Sequence, residues 1–279
     1  MRKKYQVIAL DMDGTVLNDK KEVGQRTRAA IHKALAAGRE VVFCTGRSYA
    51  EMGGILQEFP DMHYLCGESG ALLYDLKKNV PLKLLSIPER EISRIRETIA
   101  GRDIMPHFIS EGRSIVNCAQ LRRMEYYQMG AYQSAYLRTA IEVTDVFQMA
   151  EEEKCSVEKI NLFHTNSKER EKTRKDLEQQ QLFLTMVDSE ISSLECTSQG
   201  VSKATGLNAL CSELGISLEQ VIMVGDADND CEALRAAGLS VAMGNANRRV
   251  KTLCDVQVAD NNHDGCAQAI EKYLFGETI

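Results

Sequence analysis

The stretch Tyr5-Gln6-Val7-Ile8-Ala9-Leu10-Asp11-Met12-Asp13-Gly14-Thr15 decides the fold of this chain. Its first six residues are a nearly continuous apolar run, which is typical of a strand buried on both faces of a parallel sheet. Asp11 and Asp13 follow directly, and a spacing of two along an extended chain sends both carboxylates to the same side. Because open α/β sheets bind ligands at the carboxyl ends of their strands, we expect a polar site where this strand ends.

Strand and helix patterns alternate on either side of a different middle segment. Such alternation predicts parallel strands joined by right-handed crossovers. After the first strand, the patterns predict a helix over Gln25–Ala37, a strand over Val41–Phe43, a helix over Ser48–Phe59 and a strand over His63–Cys66. The alternation resumes with a helix over Ser202–Leu214, a strand over Val221–Val224, a helix over Asp228–Ala237 and a strand over Ser240–Met243.

The middle segment has a different order of elements. Two extended runs, Ile104–Ser110 and Arg113–Cys118, predict a hairpin, and a Tyr-rich helix is predicted over Tyr126–Ala140. A strand over Ser156–His164 and one over Leu182–Val187 flank a charged helix. We therefore expect an α/β fold with a Rossmann-like parallel-sheet core, formed by residues 1–86 and 190–279, and an inserted α/β cap domain at residues 87–189.

Composition narrows the classes of protein and partner. The chain has 279 residues, of which 44% are hydrophobic, so a packed core is expected and disorder is not. The formal net charge is −6 and no basic block is present, which argues against nucleic acid as a partner. Nine scattered Cys without CxxC pairs indicate thiols in a reducing compartment. No stretch is apolar for long enough to predict a membrane span or a signal segment, so we expect a cytoplasmic location.

Three further motifs fall at predicted strand ends or helix starts. Thr45-Gly46-Arg47 places a hydroxyl and free amides before a helix, an arrangement that binds anions, although a capping Thr and a surface Arg are the simpler interpretation. Lys203 opens a helix, where a surface Lys is the default interpretation. Asp226, Asn229 and Asp230 follow a buried strand and offer the hard oxygen ligands that Mg²⁺ prefers, while acids are also common at helix N-termini. The motifs are more specific together than separately.

At these residues the chain resembles the haloacid dehalogenase superfamily of phosphohydrolases, and more closely its Cof-type branch with an α/β cap (type IIB). Ala237-Gly238, residues 241–246 (Val-Ala-Met-Gly-Asn-Ala) and Asp264-Gly265 also match the branch pattern. Two stretches depart from it. Glu68-Ser69-Gly70-Ala71 stands where Asn-Gly-Ala is usual, and residues 259–263 replace the Thr-x-Ser-Asn stretch.

The resemblance implies a role for each matching residue. Asp11 would be the nucleophile, Asp13 the general acid and base, and Lys203 the neutralising cation. Thr45 and Asn229 would bind the phosphoryl group together with Gly14, Gly46 and Arg47. Mg²⁺ would be held by Asp11, the Asp13 backbone carbonyl, Asp226 and Asp230. In the cap, Lys159 and Asn161 alternate with apolar neighbours on a predicted strand, so we expect them to share a face and to contact the substrate.

The function expected from this resemblance is Mg²⁺-dependent hydrolysis of small phosphate monoesters, sugar phosphates or related metabolites, through an aspartyl-phosphate. A phosphomutase uses the same nucleophile and acid and is the alternative among enzymes. A non-catalytic sugar-phosphate sensor is the alternative outside them. The expected partner is a small phosphorylated metabolite, with neither nucleic acid nor membrane, and the sequence does not indicate the oligomeric state.

Overall fold

The computed structural model describes residues 5–129, 133–188 and 191–277. They form two compact units, each built on its own β-sheet. The first unit comprises Met1–Gly46, Gly54–Lys83 and Ser202–Ile279, and the second comprises Arg47–Gly53 and Leu84–Val201. The strands are β1 Val7–Leu10, β2 Glu40–Cys44, β3 Tyr64–Gly67, β4 Leu72–Asp75, β5 Val80–Leu84, β6 Met105–Ser110, β7 Arg113–Asn117, β8 Ala140–Val143, β9 Lys159–Phe163, β10 Leu184–Asp188, β11 Ser193–Ser198, β12 Val221–Gly225, β13 Leu239–Ala242 and β14 Val256–Gln257.

Helices connect most of these strands. The α-helices are α1 Gln25–Ala36, α2 Tyr49–Leu56, α3 Glu89–Ile99, α4 Cys118–Leu121, α5 Gln133–Thr139, α6 Val146–Glu153, α7 Ser167–Gln179, α8 Lys203–Leu214, α9 Cys231–Ala236, α10 Arg248–Leu253 and α11 Gly265–Ala269. Short 3₁₀ turns cover Glu68–Gly70, Met124–Tyr127, Leu218–Gln220 and Asp228–Asp230.

An eight-stranded sheet, in the order β14-β13-β12-β1-β2-β3-β4-β5, forms the centre of the first unit. The strands from β14 to β3 run parallel, and β4 is antiparallel to β3. All four residues of β1 are buried, as a strand covered on both faces requires. Leu10 is in register with both Phe43 and Val224, so β1, β2 and β12 end at one edge. This confirms the predicted parallel-sheet α/β fold.

The second unit has a six-stranded sheet in the order β10-β11-β9-β6-β7-β8. Its pairs are antiparallel except that β7 and β8 are parallel. Side chains from one face, including Phe108, Ile160 and Leu194, pack in a single apolar cluster with Ile95 of α3 and Leu177 of α7. Burial of this face against helices stabilises the unit, because apolar area removed from water contributes about 25 cal/mol per Å².

Several elements of the second unit differ from the predictions. The region predicted as one helix over Tyr126–Ala140 is a 3₁₀ turn, Met124–Tyr127, followed by α5, and residues 130–132 lie outside the described ranges. β8 and α6 were not predicted. The predicted boundary between 189 and 190 falls on two residues outside the described ranges. β11, beyond that boundary, pairs with β9 and β10 of the second sheet.

The structure also describes the cysteines and the helix lengths, for which the sequence predicted free thiols and no membrane span. All nine Cys are free thiols, and six of them are buried. Within the three described ranges, no helix combines the length and the apolar character that crossing a bilayer would need.

Candidate active site

The end of β1 and the end of β12 bring three carboxylates together. The Asp11 backbone N–H donates to Val224 O at 3.1 Å, which continues the pairing of the two strands past their last residues. Asp226 therefore follows β12 beside Asp11, and the 3₁₀ turn after it carries Asp230. One carboxylate oxygen from each of these residues lies within 4.8 Å of the other two. The sheet register thus assembles three of the four predicted metal ligands.

Lys203 is the cation of this cluster. It is the first residue of α8, its side chain is 1% exposed, and Nζ donates to Asp11 Oδ1 at 2.5 Å and to Asp230 Oδ1 at 2.6 Å. Burial opposes the charge, but the carboxylates of Asp11 and Asp230 outweigh burial and raise the pKa of Lys203 well above its ordinary value. The ammonium is therefore charged at neutral pH, and Lys203 is not a surface lysine.

Crowding perturbs the carboxylates themselves. Burial raises the pKa of Asp11 well above its ordinary value, Lys203 opposes that shift, and Asp230 and Asp226 add to it. Burial likewise raises the pKa of Asp226, with a further contribution from Asp230. Three carboxylates share a single lysine here, so the cluster holds more acidic groups than one ammonium can balance. The oxygen donors and their spacing fit a hard divalent cation such as Mg²⁺.

Asp230 also organises the loop after β12. Its Oδ2 accepts hydrogen bonds from the backbone N–H groups of Asp226, at 3.0 Å, and Ala227, at 3.1 Å. Gly225 leaves room for this carboxylate, because a Cβ at that position would lie 2.5 Å from Oδ2. Both oxygens of Asp230 therefore have protein donors, one from Lys203 and the other from the loop.

Two residues of the loop after β1, Gly14 and Thr15, lie against the Asp226 side chain. Gly14 has φ +82°, and a Cβ there would lie 2.5 Å from Asp226 Oδ2, so only glycine suits the position. Thr15 Oγ1 donates to Asp226 Oδ1 at 2.9 Å. Asp13 is not in the carboxylate cluster, and its Oδ1 accepts from Lys21 Nζ at 2.9 Å. The two aspartates of the first motif thus have separate cationic partners.

The remaining predicted site residues have different surroundings. Thr45 is 1% exposed at the end of β2, and its backbone N–H donates to Cys66 O at 2.9 Å. Gly46 lies in the first unit and Arg47 in the second. Asn229 is exposed in the 3₁₀ turn, and its side chain forms no hydrogen bond with any residue in the described ranges. The phosphoryl-binding roles of these residues stay predictions.

Sequence reasoning missed several residues that support the first motif. Asn245 Nδ2 donates to Gly14 O at 2.7 Å, and Asn245 Oδ1 accepts from Asn261 N at 3.1 Å. Asn245 lies in the stretch that matches the branch pattern, which is the signal that could have identified it. No sequence signal indicated Lys21, because its contact with Asp13 arises from the turn that follows.

In the second unit, the expectation that Lys159 and Asn161 share a face of β9 is met. His107 and Glu195 are in register with Asn161 on the two neighbouring strands, so all four residues lie on one face. Lys159 Nζ lies 2.7 Å from Glu195 Oε2, and Asn161 Nδ2 lies 3.0 Å from His107 Nδ1. Burial, reinforced by the charge of Lys159, lowers the pKa of His107 to about 3, so its ring is neutral. We call these four residues the polar strip.

Comparisons with known proteins identify the family that the chain resembles. The profile of the haloacid dehalogenase-like hydrolases matches residues 8–270. The phosphatase YwpJ of Bacillus subtilis is 28% identical over 96% of this chain and 100% of its own. The pyridoxal phosphate phosphatase YbhA of Escherichia coli is 28% identical over 97% of this chain and 99% of its own. The solved structure of a haloacid dehalogenase-like hydrolase from B. subtilis superposes with a TM-score of 0.83 at 25% identity, covering 96% of this chain and 100% of that one.

The profile match covers nearly the whole chain, so the chain belongs to the haloacid dehalogenase-like hydrolase family. YwpJ and YbhA are both named phosphatases, which supports phosphatase activity for this hydrolase. The resemblance found from the motifs is confirmed.

Proposed function

We propose that this enzyme hydrolyses small phosphate monoesters, sugar phosphates or related phosphorylated metabolites, with Mg²⁺ and through a phosphoryl group carried on Asp11. The observation that carries the proposal is the buried Lys203 ammonium shared between Asp11 and Asp230, with Asp226 beside them. A lysine so placed favours the ionised form of Asp11 against the burial that raises its pKa, and it fixes the orientation of the carboxylate, as a nucleophile requires.

In the first step, a carboxylate oxygen of Asp11 attacks phosphorus and the bond from phosphorus to the leaving oxygen breaks. Asp13 supplies the proton that this oxygen needs, as a general acid. Lys203 donates hydrogen bonds to Asp11 Oδ1 and Asp230 Oδ1, and its charge stabilises the negative charge that accumulates beside the phosphoryl oxygens. Thr45 would donate a hydrogen bond to the transferring group.

In the second step, water attacks the phosphorus of the aspartyl-phosphate. Asp13, now a carboxylate, takes a proton from that water, and the bond between phosphorus and Asp11 breaks. Phosphate leaves, and Asp11 returns to its contact with Lys203. The side chain of Asp13 is partly exposed while Asp11 is buried, which suits a group that exchanges protons with leaving group and water.

Asp11, Asp226 and Asp230 would hold Mg²⁺ together with the Asp13 backbone carbonyl. When bound there, Mg²⁺ would offset the repulsion between a phosphate dianion and these carboxylates and would polarise the phosphoryl oxygens. Thr15 orients Asp226 for this task through its hydrogen bond to Oδ1. Asp230 has its oxygens engaged by Lys203 and the loop amides, so its contact with the ion would be direct or through water.

The polar strip supports the substrate class. Its side chains contact one another and their neighbours, because His107 has Ser114 at one ring nitrogen and Asn161 at the other. Because Lys159 is already paired with Glu195, the strip does not carry the excess of positive charge that a second phosphate would need. This favours a leaving group that carries no second phosphate.

The test is phosphate release from a panel of monoesters, measured with Mg²⁺ and with excess chelator. The panel includes hexose and pentose phosphates, pyridoxal phosphate and a sugar bisphosphate. Wild type is compared with Asp11→Asn and with Asp61→Asn, a control that changes an exposed aspartate of the same unit. We expect Mg²⁺-dependent release in wild type and Asp61→Asn, and none in Asp11→Asn.

Three results would contradict the proposal. Equal rates of phosphate release with Mg²⁺ and with excess chelator would show that the reaction does not need the metal. Full activity in Asp11→Asn would show that Asp11 is not the nucleophile. Isomerised sugar phosphate in place of free phosphate, dependent on added bisphosphate, would establish a mutase.

A further inference from the structure

Lys21 is a charged residue that contacts the first motif and that the mechanism above does not use. Its Nζ lies 2.9 Å from Asp13 Oδ1, with the two side chains 53% and 37% exposed. An ion pair this exposed contributes little to stability. The contact therefore has little to do with holding the fold together, although it is made to the proposed acid of the reaction.

The backbone at Lys21 is unusual for a lysine. Its φ is +62°, in the left-handed region that favours glycine or asparagine. A tight turn imposes this conformation, because the Lys21 N–H donates to Asn18 O at 2.8 Å and Asn18 Oδ1 accepts from the N–H groups of Lys20 and Glu22. Outliers of this kind persist where the surrounding structure dictates them, and they occur often at functional sites.

The same turn is fixed to the loop that follows β14. Asn261 Nδ2 donates to Leu17 O at 3.0 Å, and the Asp19 N–H donates to Asn262 Oδ1 at 3.2 Å. Asn245 joins this loop to Gly14 by accepting from Asn261 N and donating to Gly14 O. The backbone that carries Lys21 and the backbone that carries Asp13 are thus tied to the same loop, which holds the two segments next to each other.

We infer that Lys21 is a positioning residue for Asp13, an inference that rests on the proposed function. The ammonium donates to Asp13 Oδ1, so we assign the proton transfer to the other oxygen, Oδ2. In the first step, the proton moves from Oδ2 to the leaving oxygen as its bond to phosphorus breaks. In the second step, Oδ2 takes a proton from the attacking water. Lys21 thereby fixes which oxygen transfers the proton and where it points.

The consequence depends on the leaving group. An alkoxide leaves poorly unless it is protonated, whereas p-nitrophenolate leaves without help. Misplacing the acid therefore slows release from an alkyl phosphate and barely affects release from p-nitrophenyl phosphate. A substitution that only disturbed the fold would slow both substrates alike.

The experiment is a single-turnover measurement of leaving-group release, with enzyme in excess, for p-nitrophenyl phosphate and an alkyl sugar phosphate that wild type hydrolyses. Lys21→Met removes the ammonium and keeps the unbranched stem. Lys20→Met is the matched control, because Lys20 is exposed in the same turn and only its backbone takes part in the turn. Lys21→Arg tests rescue, and Asp13→Asn provides the pattern expected for loss of the acid.

We expect Lys21→Met to slow the alkyl ester about tenfold or more and the aryl ester less than about threefold, with no change in the midpoint of thermal unfolding. Lys21→Arg should restore most of the alkyl rate, and Lys20→Met should match wild type. Equal slowing of both esters, or no slowing of either, would overturn the positioning role. If Asp13→Asn itself shows no preference for the aryl ester, the acid of the proposed function is wrong, whatever Lys21 does.

Discussion

Replacing Lys203 with Met should destabilise the first unit strongly, because it removes a buried cation and leaves its two carboxylate partners in place. The Lys203 side chain is 1% exposed, and those of Asp11 and Asp230 are 8% and 0% exposed. Removing one partner of a buried ion pair costs about 3–5 kcal/mol. Met fills most of the volume of the lysine stem, so the loss reports charge more than packing.

The loss should grow with pH. Burial already raises the pKa of Asp11, and Lys203 is the group that opposes this shift. Without the ammonium, the folded protein holds a proton on Asp11 more tightly than the unfolded chain does. Stability is then retained below the ordinary pKa of an aspartate and falls as the pH rises through the raised value. We expect a larger destabilisation at pH 8 than at pH 5.

Scanning calorimetry at both pH values measures this effect. The midpoint temperature of unfolding falls by about 2–4 °C for each kcal/mol of lost stability. The midpoint of the first unit should therefore fall by roughly 6–20 °C at neutral pH. Lys33→Met is the matched control, because Lys33 forms an exposed ion pair with Glu277. Its loss should cost less than about 1 kcal/mol.

A double-mutant cycle measures the interaction energy between Lys203 and Asp11. Adding Asp11→Asn to Lys203→Met should recover part of the lost stability, because the amide removes one unpaired charge. A Lys203→Met variant that is as stable as Lys33→Met would refute the buried cluster. So would strictly additive losses in the cycle, or a destabilisation that shrinks as the pH rises.

Three further changes should have distinct effects. Asp13→Ala should slow steady-state phosphate release by about 10²–10⁴-fold, and normal turnover would place the acid elsewhere. Gly14→Ala should lose most activity, because its Cβ would lie 2.5 Å from Asp226 Oδ2. Gly38→Ala has open space around it, so this variant should keep its activity and lose about 1 kcal/mol of stability. Equal phosphatase activities in the two variants would contradict this expectation. Burial lowers the pKa of His107 from 6.5 to about 3, so the second unit should lose about 1.4 kcal/mol of unfolding free energy per pH unit as the pH falls between these values. In His107→Gln, urea unfolding at several pH values should show no such decrease of the unfolding free energy with falling pH. An unchanged pH dependence in this variant would show that other groups produce it.

The parallel sheet could be predicted because its strands are short apolar runs of one kind. Val7–Leu10 and Val221–Val224 are buried throughout, so burial on both faces leaves a continuous apolar signal. The polar residues after each run then mark the carboxyl edge. This is why Asp11, Asp226 and Asp230 could be placed at that edge from the sequence, whereas Lys203 was assigned only through the family resemblance.

The second unit was harder to predict, because its strands mix polar and apolar residues on faces that sequence alone does not distinguish. β8 has two exposed residues and β11 has polar residues at four of its six positions, so neither is a continuous apolar run like the strands of the first sheet. Lys21 was missed for a different reason. Its role depends on a left-handed turn held by Asn261 and Asn262, more than two hundred residues along the chain.

The most direct measurement of the central claim is rapid acid quench of a reaction with a ³²P-labelled substrate, followed by separation of protein from free phosphate. We predict protein-bound label within the first turnover, located on the peptide that contains Asp11, with more label in Asp13→Ala if hydrolysis of the intermediate is slowed. Asp11→Asn should carry none. Absence of label at every time while wild type releases phosphate, or label on a peptide without Asp11, would contradict the account.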